Sequence, residues 1–127
     1  MKRLVLAIAM AGFTVAGLAA QEAPEVELVI TLDVEERQPI GERTEFSADV
    51  GQLVAWTRVT GLANTTVRHV WRHQEHEEVI ELSVGGSPWR TWSRRTIPAE
   101  WTGAWTVEVL DAQGNVLATA EFTVGDR

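Results

Sequence analysis

The sequence predicts an all-β domain: an antiparallel, immunoglobulin-like β-sandwich of about seven strands, preceded by a signal peptide. Three observations carry that reading. Apolar residues recur at every second position through several runs, and no stretch holds a helical period over three turns. Clusters of Gly, Pro, Asn and Asp separate those runs at short intervals. An open barrel is the other way to close the same strands. With 127 residues the chain is one domain by size.

The elements follow in chain order. Lys2 and Arg3 precede an apolar run of 17 residues, Leu4 to Ala20, that closes on small residues. This is the layout of a secretory signal peptide, cleaved after Ala19 or Ala20. The run is at the short end of what a bilayer requires, so the membrane enters only if this segment stays uncleaved. No Cys follows it, which excludes a lipoprotein anchor. The expected location is therefore periplasmic or secreted. Residues 21–35 form a polar leader and a first strand, with Val26, Leu28, Ile30, Leu32 and Val34 on one parity. Glu35 to Phe46 is polar, carries Pro39 and Gly41, and reads as a connection.

Gln52 to Val59 is β-branched and aromatic, hence a strand, closed by Gly61 to Asn64. Thr65 to His73 alternates, with Val67, His69 and Trp71 on one side and Arg68, Val70 and Arg72 on the other. Gln74 to Glu78 reads as a polar turn and Val79 to Val84 as the returning strand. Gly85 to Pro88 breaks it, and Trp89 to Ile97 is the next strand. Trp105 to Leu110 and Val116 to Val124 flank "DAQGN", a strong hairpin signal.

Composition narrows the function classes. Removing Lys2 and Arg3 moves the formal charge from −7 to −9 and leaves arginine as the only basic residue type besides histidine. Such a balance argues against a general nucleic-acid binder. The charge is uneven: Glu22 to Asp49 is strongly acidic, whereas Arg58 to Arg95 has more arginines than acids. Zero cysteines exclude disulfides, thiol catalysis and Cys-based zinc sites, so packing must hold the fold.

The second half carries a resemblance. "VRHVWRH" followed by "VGGSPWRTWSRRTIPAEWTGAWTVEVLDAQGNVLATAEFTV" resembles the bacterial domain-of-unknown-function family 2914. The matching residues include His69, Trp71, Gly85, Gly86, Trp89, Trp92, Ser93, Trp101, Gly103, Trp105, Asp111, Gly114 and Phe122. "ERQPIGERTEFSADVGQLVAWTRVTGL" fits the upstream part, so residues 36–127 are taken as the family-like domain, with the first strand packing into it. The turn "QEHEE" departs from the pattern, where a shorter polar turn is expected. The resemblance implies an exported or membrane-tethered accessory domain. It implies no activity, cofactor or catalytic residue.

Strand parity sorts the candidate residues. Trp71, His69, Trp101, Trp105 and Phe122 are expected in the core, with His69 hydrogen-bonded there. Trp89 and Trp92 lie three apart, so they point to opposite faces. Trp92 shares its face with Arg90 and Arg94 and could stack ligand rings, or be covered by those arginines. If the neighbouring strand is Thr65 to His73, then Arg68, Arg72, Arg90 and Arg94 form one basic patch. The alternative is ion-pair ladders to Glu75, Glu77, Glu78 and Glu81. The expected ligand site is thus Trp89, Arg90, Trp92, Arg94, Arg68 and Arg72. His73 and His76 could meet across a turn with Glu75 or Glu77, the weakest option, and no metal or cofactor is assigned. No paired carboxylates or nucleophile motif mark an enzyme. The sequence reading is a non-catalytic exported module of the cell envelope that engages a polysaccharide or protein partner. A purely structural sandwich with every Trp in the core and a small His-based metal protein are the alternatives.

Overall fold

The computed structural model describes residues 23–125, and the predicted signal peptide lies outside them. Among the described residues there are ten strands and no helix: β1 (Glu25–Thr31), β2 (Asp33–Glu35), β3 (Gln38–Ile40), β4 (Glu45–Ser47), β5 (Gln52–Thr60), β6 (Thr65–His73), β7 (His76–Val84), β8 (Trp89–Thr96), β9 (Gly103–Leu110) and β10 (Val116–Gly125).

Ten strands rather than about seven corrects the expectation, and the surplus has two sources. The segment Glu35 to Phe46, read as a connection, contains β3 and contributes to β2 and β4. The run Val26 to Val34 is broken at Leu32 into β1 and β2. Each added strand has three residues with only its middle one covered, too short to show a period. Glu36 and Arg37 join β2 to β3 with φ of 51° and 67°, a two-residue turn with positive φ at both positions. Neither residue is the Gly or Asn that announces such a turn. The "QEHEE" turn is likewise shorter than read, because β7 begins at His76.

Three strands form one sheet in the order β1-β5-β8, and five form another in the order β4-β10-β9-β6-β7. All pairings are antiparallel except β4 with β10. The two sheets share their core. Ile30, Leu53 and Ala55 from the first meet Trp71, Trp105, Val107 and Phe122 from the second. A second cluster joins Val59 to Val67, Val84 and Val109. Phe122 lies parallel to Trp105 at 5.8 Å and edge-on to Trp71 at 6.3 Å. These rings each bury roughly 150–250 Å², which lets a chain without cysteines hold a compact fold.

One polar network crosses this core. Thr57 Oγ1 donates to the Thr91 carbonyl at 2.6 Å, so toward His69 Nε2, 3.3 Å away, it can only accept. His69 therefore carries its proton on Nε2 and accepts at Nδ1 from the Ser93 hydroxyl at 2.7 Å. The Ser93 oxygen in turn accepts from Trp71 Nε1–H at 3.0 Å. Every polar atom is matched, and burial pushes the His69 pKa down to about 4.

The β2–β3 hairpin folds over the outer face of the three-stranded sheet. Trp56 Nε1 donates to the Arg37 carbonyl at 3.0 Å, and Arg94 pairs with Asp33 at 3.3 Å. Beneath the hairpin Val54 and Trp56 are buried although they point away from the main core. The hairpin thereby carries the Arg37 side chain to the face on which β8 displays its basic residues.

Candidate functional site

The site is built by β8, an edge strand hydrogen-bonded only to β5 among the described residues. Register puts Trp92 opposite Trp56 and Arg90 opposite Arg58, so these side chains share the outer face. Trp89 turns inward against the Val59–Val67–Val84–Val109 cluster, and its ring lies over Gly85 and Gly86. A Cβ on Gly85 would come within 3.1 Å of that ring, so a side chain there would press on the indole and require it to shift slightly.

Two adjoining cavities of about 290 Å³ each open along β8. One is lined by Arg37, Arg58, Pro88 and Arg90. The other is lined by Arg37, Arg90, Trp89, Thr91, Trp92 and Ser83. Arg37 and Arg90 belong to both, so the two form one basic cleft with an indole on its wall. Among the described residues no carboxylate lines either one. Among those residues, too, Arg37, Arg58 and Arg90 make no ion pair, although Glu27 stands opposite Arg58 in register.

This geometry redraws the candidate set. Trp89, Arg90 and Trp92 line the cleft, while Arg94 is held by Asp33 and does not. The single patch of Arg68, Arg72, Arg90 and Arg94 does not exist, because β6 and β8 belong to different sheets. Parity gave the correct face for each arginine but could not say which strands were neighbours. Arg68 donates to the Asp111 carbonyl at 3.2 Å. Arg72 bridges Glu77 and Glu108 on the outer face of the five-stranded sheet. Sequence reasoning missed Arg37 and Arg58. Arg58 was recoverable as the residue two after Trp56 on an alternating strand; Arg37 depends on a turn that leaves no signature.

A larger cavity of about 530 Å³ lies on the five-stranded sheet, lined partly by Thr44, Glu45, Arg72, Gln74 and Glu121. Its one cation among the described residues is already neutralised by Glu77 and Glu108, and two carboxylates face it, so it offers no unmet charge.

The remaining candidates serve packing. Trp71, Trp105 and Phe122 are buried, as is Trp56, whereas Trp89, Trp92 and Trp101 are half-buried. Trp101, expected in the core, is half-buried and precedes β9, where its backbone N–H donates to the Pro98 carbonyl at 3.0 Å. Its carbonyl accepts from Trp105 Nε1–H at 2.9 Å. His76 stacks on Trp101 at 3.9 Å and His73 at 5.5 Å, while the Arg95 guanidinium sits 5.4 Å from the same ring. Arg95 Nε is also 2.8 Å from Glu78 Oε1, an ion pair by distance without hydrogen-bond alignment. His73 Nε2 lies 2.8 Å from the Thr102 carbonyl and must donate to it. The two histidines meet across the turn on an indole rather than around an ion. Among the described residues no three His, Cys, Asp or Glu side chains converge as metal ligands would.

The fold and cleft define a small all-β domain with a basic, tryptophan-walled groove on a sheet edge. The family model described as a protein of unknown function, DUF2914, matches residues 64–124, from the start of β6 into β10. That match bears out, over these residues, the resemblance read from the sequence. The match begins at residue 64, so the upstream likeness from Glu36 is not part of it. No curated protein matches this chain. Two solved structures align with this chain. A β-glucosidase from Listeria innocua, in complex with glucose, aligns over 80% of this chain at 13% identity and a TM-score of 0.40. A GH3 β-glucosidase from Bifidobacterium adolescentis aligns over 82% at 11% identity and a TM-score of 0.34. The chain spans only 16% and 17% of those enzymes, and likeness at this level carries no argument about function.

Proposed function

We propose that this is a non-catalytic, exported binding module of the bacterial cell envelope, with an immunoglobulin-like sandwich as its scaffold. Its ligand is a polysaccharide of the envelope, seated in the β8 cleft against Trp92. One observation carries the reading: β8 puts a half-buried indole beside arginines that no protein carboxylate engages among the described residues, in a cleft of ligand size. Indole faces stack on sugar rings, and guanidiniums lend the directional hydrogen bonds that fix orientation. The signal-like N-terminus supports export.

Tryptophan emission of the purified domain, titrated with envelope polysaccharide, tests this. Binding should shift the emission and protect part of it from acrylamide. Trp92→Ala should remove the response while circular dichroism stays that of the wild type. An unchanged response in Trp92→Ala would sink the reading.

A further inference from the structure

We infer that the β8 cleft is an oxyanion site and that the polysaccharide it takes is acidic, bearing carboxylate or sulfate groups. The inference rests on the proposed glycan-binding reading and names the class of glycan. Four observations carry it.

First, three guanidiniums converge. Arg37, Arg58 and Arg90 line one cavity of about 290 Å³ together with Pro88. They come from three places, the β2–β3 turn, β5 and β8, so the cluster is made by tertiary structure and not by a charged run. Second, they are unanswered. Four other arginines engage protein oxygens: Arg68 with Asp111, Arg72 with Glu77 and Glu108, Arg94 with Asp33, and Arg95 with Glu78. Among the described residues these three make neither an ion pair nor a side-chain hydrogen bond. Third, the whole chain has a formal charge of −7, so carboxylates to neutralise them were plentiful. Crowding like charges while acids are abundant costs repulsion that an incoming anion would relieve.

Fourth, the backbone positions that carry the cluster are fixed. Arg58 and Arg90 are a cross-strand pair, which brings their Cβ atoms to within roughly 4.5–5.5 Å. Arg37 is fixed from its backbone, since its carbonyl accepts from the buried Trp56 indole. A guanidinium offers a planar fork of donors that matches a carboxylate or sulfate bidentately. The second cavity continues past Trp92, so an acidic sugar held by the arginines would have a neighbouring ring beside the indole. The overall negative charge works against non-specific adhesion of polyanions, so binding of one would report this local site.

The test uses three probes: dextran, dextran sulfate and polygalacturonate. Binding is followed by calorimetry and Trp emission for the wild type, Trp92→Ala, Arg58→Gln and Arg90→Gln, each checked by circular dichroism. The inference expects polygalacturonate, dextran sulfate or both to bind, with neutral dextran much weaker. The polyanion that binds identifies carboxylate or sulfate as the source. Each Arg→Gln change should weaken binding about tenfold, the scale of one charge-assisted contact, and added salt should weaken it further. Arg94→Gln, outside the cleft, should bind as the wild type does. If dextran binds as tightly as the polyanions, and the arginine variants behave as the wild type, the oxyanion site is overturned while the Trp92 platform survives. If none of the three binds, both readings fall.

Discussion

The buried histidine makes the pH dependence of stability a sharp test of the core. His69 has no solvent exposure and a pKa pushed down to about 4 by burial, against 6.5 when free. The sign follows from proton counting. Above the unfolded value both states hold a neutral imidazole and stability is full. Below it the unfolded chain takes up a proton that the folded one refuses, so stability falls as pH drops. The loss ends near pH 4, where the folded state also protonates. The gap corresponds to about 3 kcal/mol, at about 1.36 kcal/mol per pKa unit, with about 2 kcal/mol already lost by pH 5. That is a large share of the roughly 5–15 kcal/mol a domain commonly has. The measurement is urea unfolding followed by Trp emission from about pH 7.5 down to about pH 5, for the wild type and His69→Gln. Surface carboxylates titrate alike in both proteins and cancel in the difference. The variant should be less stable at neutral pH by about 1–3 kcal/mol, because a flexible Gln must be frozen in one rotamer to reach Thr57 and Ser93 and does not fill the volume of the ring. Its stability should then depend less on pH than that of the wild type. Parallel pH curves would refute the reasoning, since they would mean that His69 titrates normally in the folded state.

Other perturbations separate scaffold from site. Trp105→Ala removes a ring stacked on Phe122 and should cost about 3–5 kcal/mol in urea unfolding. Gly103 has φ of +97° and open space where a methyl would stand, so Gly103→Ala meets only backbone strain; a melting curve should show a loss of about 1–3 kcal/mol. Gly85→Ala pushes a Cβ against the Trp89 ring, so it should weaken ligand binding at the cleft more than its modest effect on unfolding would suggest. Asp111→Ala removes the carboxylate that caps Gln113 and Asn115 in the β9–β10 turn, and amide hydrogen exchange in that hairpin should quicken.

The long strands were legible because alternation over eight or more residues is a repeated signal. β6 shows it in Val67, His69 and Trp71, and all three are buried. The DAQGN hairpin was legible because Asp111 and Gly114 do what those residue types do in turns: the carboxylate caps amides, and the glycine takes φ of 92°. The three short strands were not, since three residues carry no period. Nor was the division into sheets. Arg68 and Arg90 each read correctly as outward-facing, yet the faces they occupy belong to different sheets. Half of the cleft followed from β8 alone. The other half needed the β2–β3 hairpin to cross the sheet, and that crossing depends on long-range contacts such as Trp56 to the Arg37 carbonyl.

The end strand of the larger sheet bears on behaviour at high concentration. β7 is nine residues long with a partner on only one side among the described residues, and Val79 on it is 51% exposed. A long bare edge of that kind invites another molecule to add a strand. Glu77, Glu78 and Glu81 are spread along it. Glu77 and Glu78 are answered by Arg72 and Arg95 of the same chain, which leaves Glu81 as the carboxylate on this strand without an ion pair among the described residues, and two copies meeting edge to edge would set its charge against its own copy. Glu81 is therefore the charge placed to discourage a second molecule from extending the sheet, and replacing it with an apolar residue should make concentrated solutions scatter more light.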